Sequence, residues 1–430
     1  MKLTIEKLVY GGDGLARLPA DEHGSGKAVF VPFVLDNEEI EATLTEQKPG
    51  FARAKLDSIT QPSPQRTDPG CPYFLRCGGC HYQHTSYEHQ LEIKAGILKE
   101  NLRRIAKLEL STELQLHPSP AWNYRNRTRL KVRTSLDFAL GYYKFNSHEL
   151  LPIDQCPISS PLINRAIAAI LAGGASEPLA ALDEIEFFAN SDDTQLLIEL
   201  YCAPRTEPAT AKQAAEHIKQ AMPEIAGVVA FTNAYSVSTP EPQQLAAAGA
   251  GELTCKAQGA AYRVSGGAFF QVNRHLTDTL VTLVTESRLG TTALDLYAGV
   301  GLFSTVLSRE FERVIAVEAS PISHADLLYN SPVNVKVVRS MTEQYLKNVA
   351  RKLQPDLVVV DPPRSGLGES VVHALVTLGA PRITYVSCDP ATLSRDLGGL
   401  LKSGYQVERA HMVDLFPQTY HLETVFHLVR

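Results

Sequence analysis

Cys388 is the residue of this chain whose type and position best suit covalent chemistry. It follows an apolar run at 382–386 that is typical of a strand, and a helical pattern begins after it at Ala391. Open α/β sheets carry their reactive groups at this end of a strand. A cysteine thiolate can attack an electron-poor carbon and hold a covalent intermediate. Free cysteines are more often small buried hydrophobic residues, so the surrounding pattern must decide.

A glycine turn upstream indicates a nucleoside-binding sheet. The run 292–303 is an apolar strand that ends in a Gly-x-Gly turn at Gly299 and Gly301. Glycine lets the backbone turn tightly and lets a nucleotide approach it. The next strand ends in Glu318, about 20 residues after Asp295, which is the spacing of a ribose-binding acid.

Strand and helix patterns alternate from residue 293 to the end of the chain. Strand-like runs occupy 293–297, 313–317, 333–338, 356–360, 382–386, 405–408 and 424–429. Amphipathic stretches lie between most of them, which predicts an α/β fold with a doubly wound, Rossmann-like sheet of seven strands. The last two runs have no helix between them and are expected to pair antiparallel. Two acids fall at strand ends, Asp361 in the sequence Asp-Pro-Pro-Arg and Glu423 before the last strand.

Five segments, in this order, resemble the RNA uracil-5-methyltransferases that use S-adenosylmethionine. They are GAFFQVN (267–273), DLYAGVG (295–301), DPPR (361–364), SCDPATL (387–393) and FPQTYHLE (416–423). The resemblance implies that Cys388 is the nucleophile and Glu423 the general base. It also implies a site for the methyl donor, formed by Gln271, Tyr297, Gly299, Gly301, Glu318 and Asp361. Asp361 is implied to lie close to the target base as well. Some members carry a polar residue where this chain has Leu302, so one contact to the donor is expected to be missing.

The implied reaction explains these residue types. Carbon 5 of uracil is a poor nucleophile, but addition of a thiolate to carbon 6 creates an enolate that can take the methyl group at carbon 5. Glu423 would then remove the proton from carbon 5, so that the cysteine leaves by elimination. The thiol must ionise first, and the sequence does not show what lowers its pKa. The uridine must be flipped out of a stack or presented in a loop.

A cysteine cluster in the amino-terminal half indicates a metal site. Cys71, Cys77 and Cys80 lie within about ten residues, and a cytosolic chain is not expected to use such a cluster for disulfides. Zinc is one candidate, because Cys77-x-x-Cys80 has a zinc spacing. The segment and Cys156 also resemble the iron-sulfur site of the same methyltransferase family, which implies a 4Fe-4S cluster on Cys71, Cys77, Cys80 and Cys156. The radical S-adenosylmethionine enzymes have a different cysteine spacing and are disfavoured.

Three domains are predicted from these segments. Short alternating runs over residues 1–60 predict a small β-barrel of the oligonucleotide-binding type, and the segment YGGDGLAR (10–17) resembles the start of a TRAM domain. Residues 61–265 are predicted to form a central α+β domain that carries the cluster and contacts RNA, with a helical segment at 86–110. Residues 266–430 are predicted to be the methyltransferase domain.

A basic run in the central region is the candidate RNA contact. Five cations alternate with other residues: Arg125, Arg127, Arg129, Lys131 and Arg133. Alternation by two in a strand places all five on one face, where phosphate is the natural counter-charge. The alternative is a solvated edge strand whose charges prevent aggregation.

Composition frames the choice of partner. The chain has 430 residues, 44% of them hydrophobic and 20% charged, and a formal net charge of -6. The net charge alone disfavours nucleic acid, but binding depends on the facing surface. We expect a cytoplasmic monomer without a membrane segment that acts on RNA. The resemblance favours 23S ribosomal RNA, with the transfer RNA T-loop as the second candidate. The alternative function is a non-catalytic RNA-binding or folding factor on a methyltransferase scaffold, although nucleophile, base and donor motifs are all present.

Overall fold

The computed structural model describes residues 1–19, 26–134, 137–174, 177–232, 243–286 and 290–430. In the amino-terminal region, six strands of the described residues form one sheet in the order β1-β5-β6-β4-β3-β2. The strands are β1 (Lys2–Thr4), β2 (Lys7–Leu8), β3 (Asp13–Arg17), β4 (Ala28–Pro32), β5 (Glu39–Gln47) and β6 (Phe51–Gln61). Gly14 lies within β3, where a Cβ would come within 2.3 Å of Val34 Cγ2.

The segment that follows β6 packs against the carboxyl-terminal strands. Helix α1 (Tyr87–Asn101) begins at Ser86, whose hydroxyl accepts a hydrogen bond from His89 N and so caps the helix. It continues into a short π-helix (Leu102–Ala106), and strand β7 (Leu114–His117) follows. Leu98 and Leu114 are buried in the same hydrophobic core as the carboxyl-terminal strands.

The central region is a mixed sheet with helices, as expected for an α+β unit. Among the described residues the strand order is β10-β9-β8-β11-β12-β13-β14. The elements are β8 (Arg127–Arg133), β9 (Ala139–Tyr143), β10 (Leu150–Pro152), α2 (Pro161–Gly173), a 3-10 helix (Glu177–Ala181), β11 (Leu182–Ala189), β12 (Leu196–Cys202), α3 (Pro208–Lys219), β13 (Ile225–Thr232) and β14 (Gln244–Gly249).

The carboxyl-terminal region contains the predicted Rossmann-like sheet. A hairpin and a helix lead into it: β15 (Glu252–Ala257), β16 (Ala260–Ser265) and α4 (Thr277–Thr285). The sheet elements follow: β17 (Gly290–Leu296), α5 (Leu302–Leu307), β18 (Phe311–Glu318), α6 (Pro321–Asn330), β19 (Val335–Arg339), α7 (Thr342–Val349), β20 (Leu357–Val360), α8 (Gly368–Leu378), β21 (Arg382–Ser387), α9 (Pro390–Lys402), β22 (Gln406–Val413) and β23 (Glu423–Val429).

All seven predicted strands of this sheet are present, and an eighth joins them. In the described part of the chain the order is β19-β18-β17-β20-β21-β23-β22-β7. β23 runs antiparallel to both β21 and β22, as expected for the last two strands. The eighth strand, β7, pairs with β22 in parallel and comes from the predicted central domain. The predicted bounds 1–60, 61–265 and 266–430 stay predictions.

Within the described ranges, no helix is both long enough and apolar enough to cross a membrane.

Candidate active site

One edge of the carboxyl-terminal sheet collects most of the predicted catalytic and donor-binding residues. Tyr297, Asp361 and Cys388 each follow directly after a parallel strand, β17, β20 and β21. Parallel strands end at the same edge of a sheet, so these residues lie side by side. β23 runs the other way and begins at this edge, where Thr424 pairs with Ser387. The pairing places Glu423 beside Cys388.

Electrostatics confirms that these side chains are neighbours. Burial, followed by the charges of Glu423 and Asp361, raises the pKa of Cys388 to about 12, even though Arg364 acts to lower it. The thiol is therefore protonated at neutral pH. In the sequence, Arg364 stands out only as the last residue of the DPPR motif. The structure identifies it as a cation that favours the thiolate.

The two carboxyl groups at the edge hold their protons more tightly than usual. Glu423 is buried, and burial followed by the charge of Asp361 raises its pKa well above the usual value. Burial and the charge of Asp295 raise the pKa of Asp361 to about 7. A raised pKa makes a carboxylate a stronger base once it has ionised.

The glycine turn after β17 has the backbone of a ligand-binding loop. Tyr297 has a φ of 65°, which is uncommon for a residue other than glycine and often marks a functional site. Gly299 and Gly301 also have positive φ values, 56° and 93°. A Cβ on Gly301 would come within 2.8 Å of Leu327 Cδ1. Both the turn and the close packing of α6 therefore require glycine here.

The polar groups around this turn fit a nucleoside with several hydroxyls. Glu318 Oε2 accepts a hydrogen bond from Gly299 N at 2.8 Å, and Oε1 accepts one from Ser320 N at 2.7 Å. Each carboxylate oxygen has a further lone pair for a ribose hydroxyl. Asp295 Oδ1 is buried without a hydrogen-bond partner among the described residues, which is costly unless a ligand supplies a donor.

Gln271 lies on a segment that the central sheet holds in place. Its backbone oxygen accepts a hydrogen bond from Asn126 Nδ2 at 3.2 Å, and Asn126 N donates to Val272 O at 2.9 Å. The side chain of Gln271 is mostly buried, and it makes no hydrogen bond to the described residues.

The loop 414–422, which connects β22 to β23, is anchored from several parts of the chain. Its backbone oxygens accept hydrogen bonds at Leu415 from Asn273 Nδ2 (3.1 Å), at Phe416 from Lys94 Nζ (2.9 Å), at Pro417 from Tyr124 Oη (3.0 Å) and at Gln418 from His81 N (2.8 Å). Because Glu423 directly follows the loop, these anchors fix its position. None of them was predicted from the sequence.

The four predicted cluster cysteines line one cavity. Its volume is about 370 Å³, and its walls include Cys71, Cys77, Cys80 and Cys156 together with residues of the 414–422 loop. Burial, followed by the nearby charges of Cys156 and Cys71, raises the pKa of Cys77 to about 11. Within the described residues, however, no group of three or more His, Cys, Asp or Glu side chains is close enough to hold a metal ion. A larger groove beside β7, about 1060 Å³, contains none of the predicted site residues.

Comparison with known proteins decides the family. Residues 86–430 match the family described as tRNA (Uracil-5-)-methyltransferase. The chain belongs to this family. Residues 1–56 match the TRAM domain, which confirms the resemblance seen in the amino-terminal segment. The expected enzyme class is confirmed too: the chain is an RNA (uracil-5-)-methyltransferase that uses S-adenosylmethionine.

Relatives and a solved structure agree over the whole methyltransferase. An uncharacterised RNA methyltransferase of Aquifex aeolicus is 32% identical over 99% of this chain and 97% of its own. Another, from Listeria monocytogenes, is 30% identical over 98% and 95%. The Pyrococcus abyssi tRNA (uracil-54, C5)-methyltransferase, solved with S-adenosyl-L-homocysteine, is 23% identical, and each chain is fully covered with a TM-score of 0.74. At this identity the likeness shows the fold.

The basic run of the methyltransferase has a different counter-charge from the one predicted. Arg127, Arg129, Lys131 and Arg133 lie on β8 at alternate positions, as expected. Their anions belong to the protein: Arg127 pairs with Glu186 and Glu199, Arg129 with Glu186 and Glu184, and Lys131 with Glu184. These acids come from β11, which pairs with β8, and from β12 beyond it. The three cations are therefore balanced within the protein, and phosphate is not needed to offset their charge.

Arg127 supports the segment 267–273, which contains Gln271, a predicted donor-binding residue. Its Nη1 donates to Ala268 O at 2.5 Å, and its partner Glu199 accepts a hydrogen bond from Gly267 N at 3.0 Å. The ion-pair network therefore holds the segment that leads to Gln271. Arg125 and Arg133 have no ion pair within the described ranges. RNA contact stays a prediction for all five cations of the run.

Proposed function

We propose that this methyltransferase modifies carbon 5 of one specific uridine through a covalent adduct on Cys388. The observation that carries the proposal is the meeting of Cys388, Asp361 and Glu423 at one sheet edge. A thiol, a carboxylate with a raised pKa and a nearby cation are the groups that this chemistry needs. A pocket that only bound RNA would have no use for a nucleophile beside a buried base.

Each residue has a defined step in the proposed reaction. The Cys388 thiolate adds to carbon 6 of uracil, and the electron pair moves to carbon 5 and the carbonyl oxygen on carbon 4 as an enolate. Arg364 stabilises the thiolate, since its charge lowers the pKa of Cys388. Carbon 5 would then take the methyl group from S-adenosylmethionine as the bond between sulfur and the methyl carbon breaks, which leaves S-adenosylhomocysteine. Glu423 then removes the proton from carbon 5, and the bond between carbon 6 and sulfur breaks to release the thiolate.

The donor site is proposed at the carboxyl ends of β17, β18 and β20. The Gly299 and Gly301 turn approaches the adenosine, Glu318 accepts from the ribose, and Tyr297, Gln271 and Asp361 line the rest. The positive φ of Tyr297 and the unpartnered Asp295 Oδ1 support this placement. Asp361 lies between the donor site and Cys388, so it is also placed to contact the target base.

Trapping experiments test the nucleophile and the base separately. The variant Glu423→Gln should methylate once and stop, because methyl transfer proceeds while proton removal fails. A gel should then show a stable adduct of protein and RNA. Cys388→Ala should bind RNA as the wild type does and form neither adduct nor product. Turnover by Glu423→Gln at the wild-type rate, without an adduct, would remove Glu423 from the role of base.

For the substrate we propose 23S ribosomal RNA first and transfer RNA second. The combination of a TRAM domain with a four-cysteine cavity supports the ribosomal substrate. The family description supports transfer RNA. Labelled methyl transfer from S-adenosylmethionine to each unmodified RNA, followed by nucleoside analysis, separates the two. Label in 5-methyluridine of transfer RNA alone would reverse our order, and label in neither would favour an RNA-binding factor.

We also propose that Cys71, Cys77, Cys80 and Cys156 hold a 4Fe-4S cluster. The shared cavity supports this, since a cluster binds each thiolate to a different iron and does not need all four to meet at one ion. Protein purified without oxygen should contain about four iron and four sulfide per chain. Cys156→Ser should lose most of the iron, whereas Cys202→Ser, at a buried cysteine outside the cavity, should keep it. Zinc without sulfide would contradict the proposal.

We propose that the methyltransferase acts as a monomer. Light scattering coupled to size-exclusion chromatography should give a mass close to 47.1 kDa, and a mass twice that value would contradict it.

A further inference from the structure

The tip of the β2-β3 hairpin, which belongs to the TRAM-like barrel, reaches into the catalytic centre. Val9 N donates to Asp13 O at 2.9 Å and closes the turn, so Tyr10 projects from the tip. Its hydroxyl donates a hydrogen bond to Cys388 O at 3.2 Å. A residue of the amino-terminal barrel thereby contacts the main chain of the proposed nucleophile.

This hydrogen bond occupies a carbonyl at a break between two elements. β21 ends at Ser387 and α9 begins at Pro390, so Cys388 lies in the connection between them. The neighbouring groups have local partners: Asp389 Oδ1 accepts from Ala391 N and Thr392 N, at 3.0 and 2.8 Å. The carbonyl of Cys388 is instead held from outside its own domain, by Tyr10.

Tyr10 also contacts the loop 414–422. Its ring meets the ring of Tyr420 edge-on, with 5.3 Å between centroids. His81 also packs against Tyr420, with 4.7 Å between ring centroids. Tyr420, three residues before Glu423, therefore contacts both the barrel and the cysteine segment.

Gly12 shows how closely the hairpin tip is fitted. Its φ is 91°, and a Cβ on it would lie 2.8 Å from His81 Cδ2. Only glycine satisfies both conditions, so the tip approaches the cysteine segment more closely than any other residue would allow. Burial, followed by the charge of Asp389, raises the pKa of Tyr10, and its hydroxyl stays protonated and able to donate.

We propose that the TRAM-like barrel completes the catalytic centre, with Tyr10 as a positioning residue that fixes the Cys388 main chain and the loop before Glu423. The inference rests on the proposed roles of those two residues. It assigns the barrel a part in the chemical step in addition to any contact with RNA. An RNA-binding barrel alone would not need a hydroxyl on the main chain of the nucleophile.

Steady-state kinetics with saturating RNA and donor tests the role. Tyr10→Phe keeps the ring contact with Tyr420 and removes only the hydroxyl, so kcat should fall about three- to ten-fold, the usual effect of one hydrogen bond. KM for RNA should stay unchanged. Tyr10→Ala should lose more, because the loop contact is lost as well. Tyr329→Phe, at an exposed tyrosine on α6, is the matched control and should behave as wild type.

Two results would overturn the proposal. A higher KM with unchanged kcat would make Tyr10 an RNA contact, and wild-type values for both constants would leave it no role in turnover. Thermal melting of Tyr10→Phe should match wild type, which separates a positioning effect from a folding defect.

A second readout needs no RNA and therefore survives a failure of the proposed reaction. The rate at which iodoacetamide alkylates Cys388, measured by peptide mass spectrometry, should rise about three-fold in Tyr10→Phe, because the freed main chain exposes a half-buried thiol. Tyr329→Phe should leave the rate unchanged. Equal rates in wild type and Tyr10→Phe would refute the positioning role, whatever the RNA assays show.

Discussion

A buried ion pair beneath the 414–422 loop allows a quantitative test of how that loop is held. Lys94 Nζ lies 2.6 Å from Asp414 Oδ1, and neither side chain is exposed to solvent. The same ammonium group donates to Phe416 O at 2.9 Å. The variant Lys94→Met removes the charge and both hydrogen bonds but keeps an apolar stem of similar length.

The expected cost follows from burial. Removing one partner of a buried pair leaves an uncompensated charge and typically costs about 3–5 kcal/mol. This corresponds to about a 10²- to 10⁴-fold change in the folding equilibrium. The control pair, Lys7 and Glu100, lies 2.5 Å apart with side chains 41% and 23% exposed. Lys7→Met should cost less than about 1 kcal/mol, since solvent screens such pairs.

Urea unfolding followed by circular dichroism measures both costs. A chain of this size does not have to unfold in one step, so the same transition must be compared in each variant. A third variant, Lys94→Met with Asp414→Leu, replaces the whole pair by apolar side chains and should recover most of the stability. The turnover of this double variant should be lower than that of the wild type, because Phe416 O still lacks the hydrogen bond from Lys94.

Two outcomes would refute this reasoning. A loss below about 1 kcal/mol in Lys94→Met would mean that water or another group compensates Asp414. A double variant less stable than Lys94→Met would mean that the pair contributes through packing and not through its charge.

Three further predictions concern charges near the donor segment and the nucleophile. Arg129→Ala should leave RNA affinity in a filter-binding assay unchanged but lower the melting temperature, because Arg129 pairs with Glu186 and stacks on Tyr201 at 3.9 Å; a salt-dependent loss of affinity would restore the phosphate interpretation. Arg364→Met should slow iodoacetamide alkylation of Cys388 at pH 9. The charge of Arg364 lowers the pKa of that thiol in the wild type, so its removal leaves less thiolate. Asp361→Asn should speed it, since at pH 9 this carboxyl, with a pKa of about 7, is ionised and raises the thiol pKa; equal rates in both variants would contradict the electrostatic account.

Local sequence determined the carboxyl-terminal sheet and the residues at its edge. Strand runs separated by amphipathic helices typically form parallel strands with right-handed crossovers, and such strands end at one edge. The positions of Tyr297, Asp361 and Cys388 along the chain were therefore enough to predict that they meet. Glu423 needed one more inference, that the last strand runs antiparallel, and the missing helix before it supplied that.

Tertiary structure decided what lies opposite each side chain. The alternation of cations on β8 was correct, but their counter-charges Glu184 and Glu186 come from β11, more than 50 residues away. Pairing between distant strands depends on register across the sheet, and no local pattern encodes it. The same holds for β7, which joins the far edge of the sheet, and for Tyr10, whose hydroxyl reaches Cys388 across 378 residues.

The sequence by itself thus determined which candidate residues lie at one edge of the sheet, because periodicity and strand ends are local properties. Only the folded chain decided which groups position and neutralise them, because hydrogen bonds and ion pairs form between segments that the fold brings together.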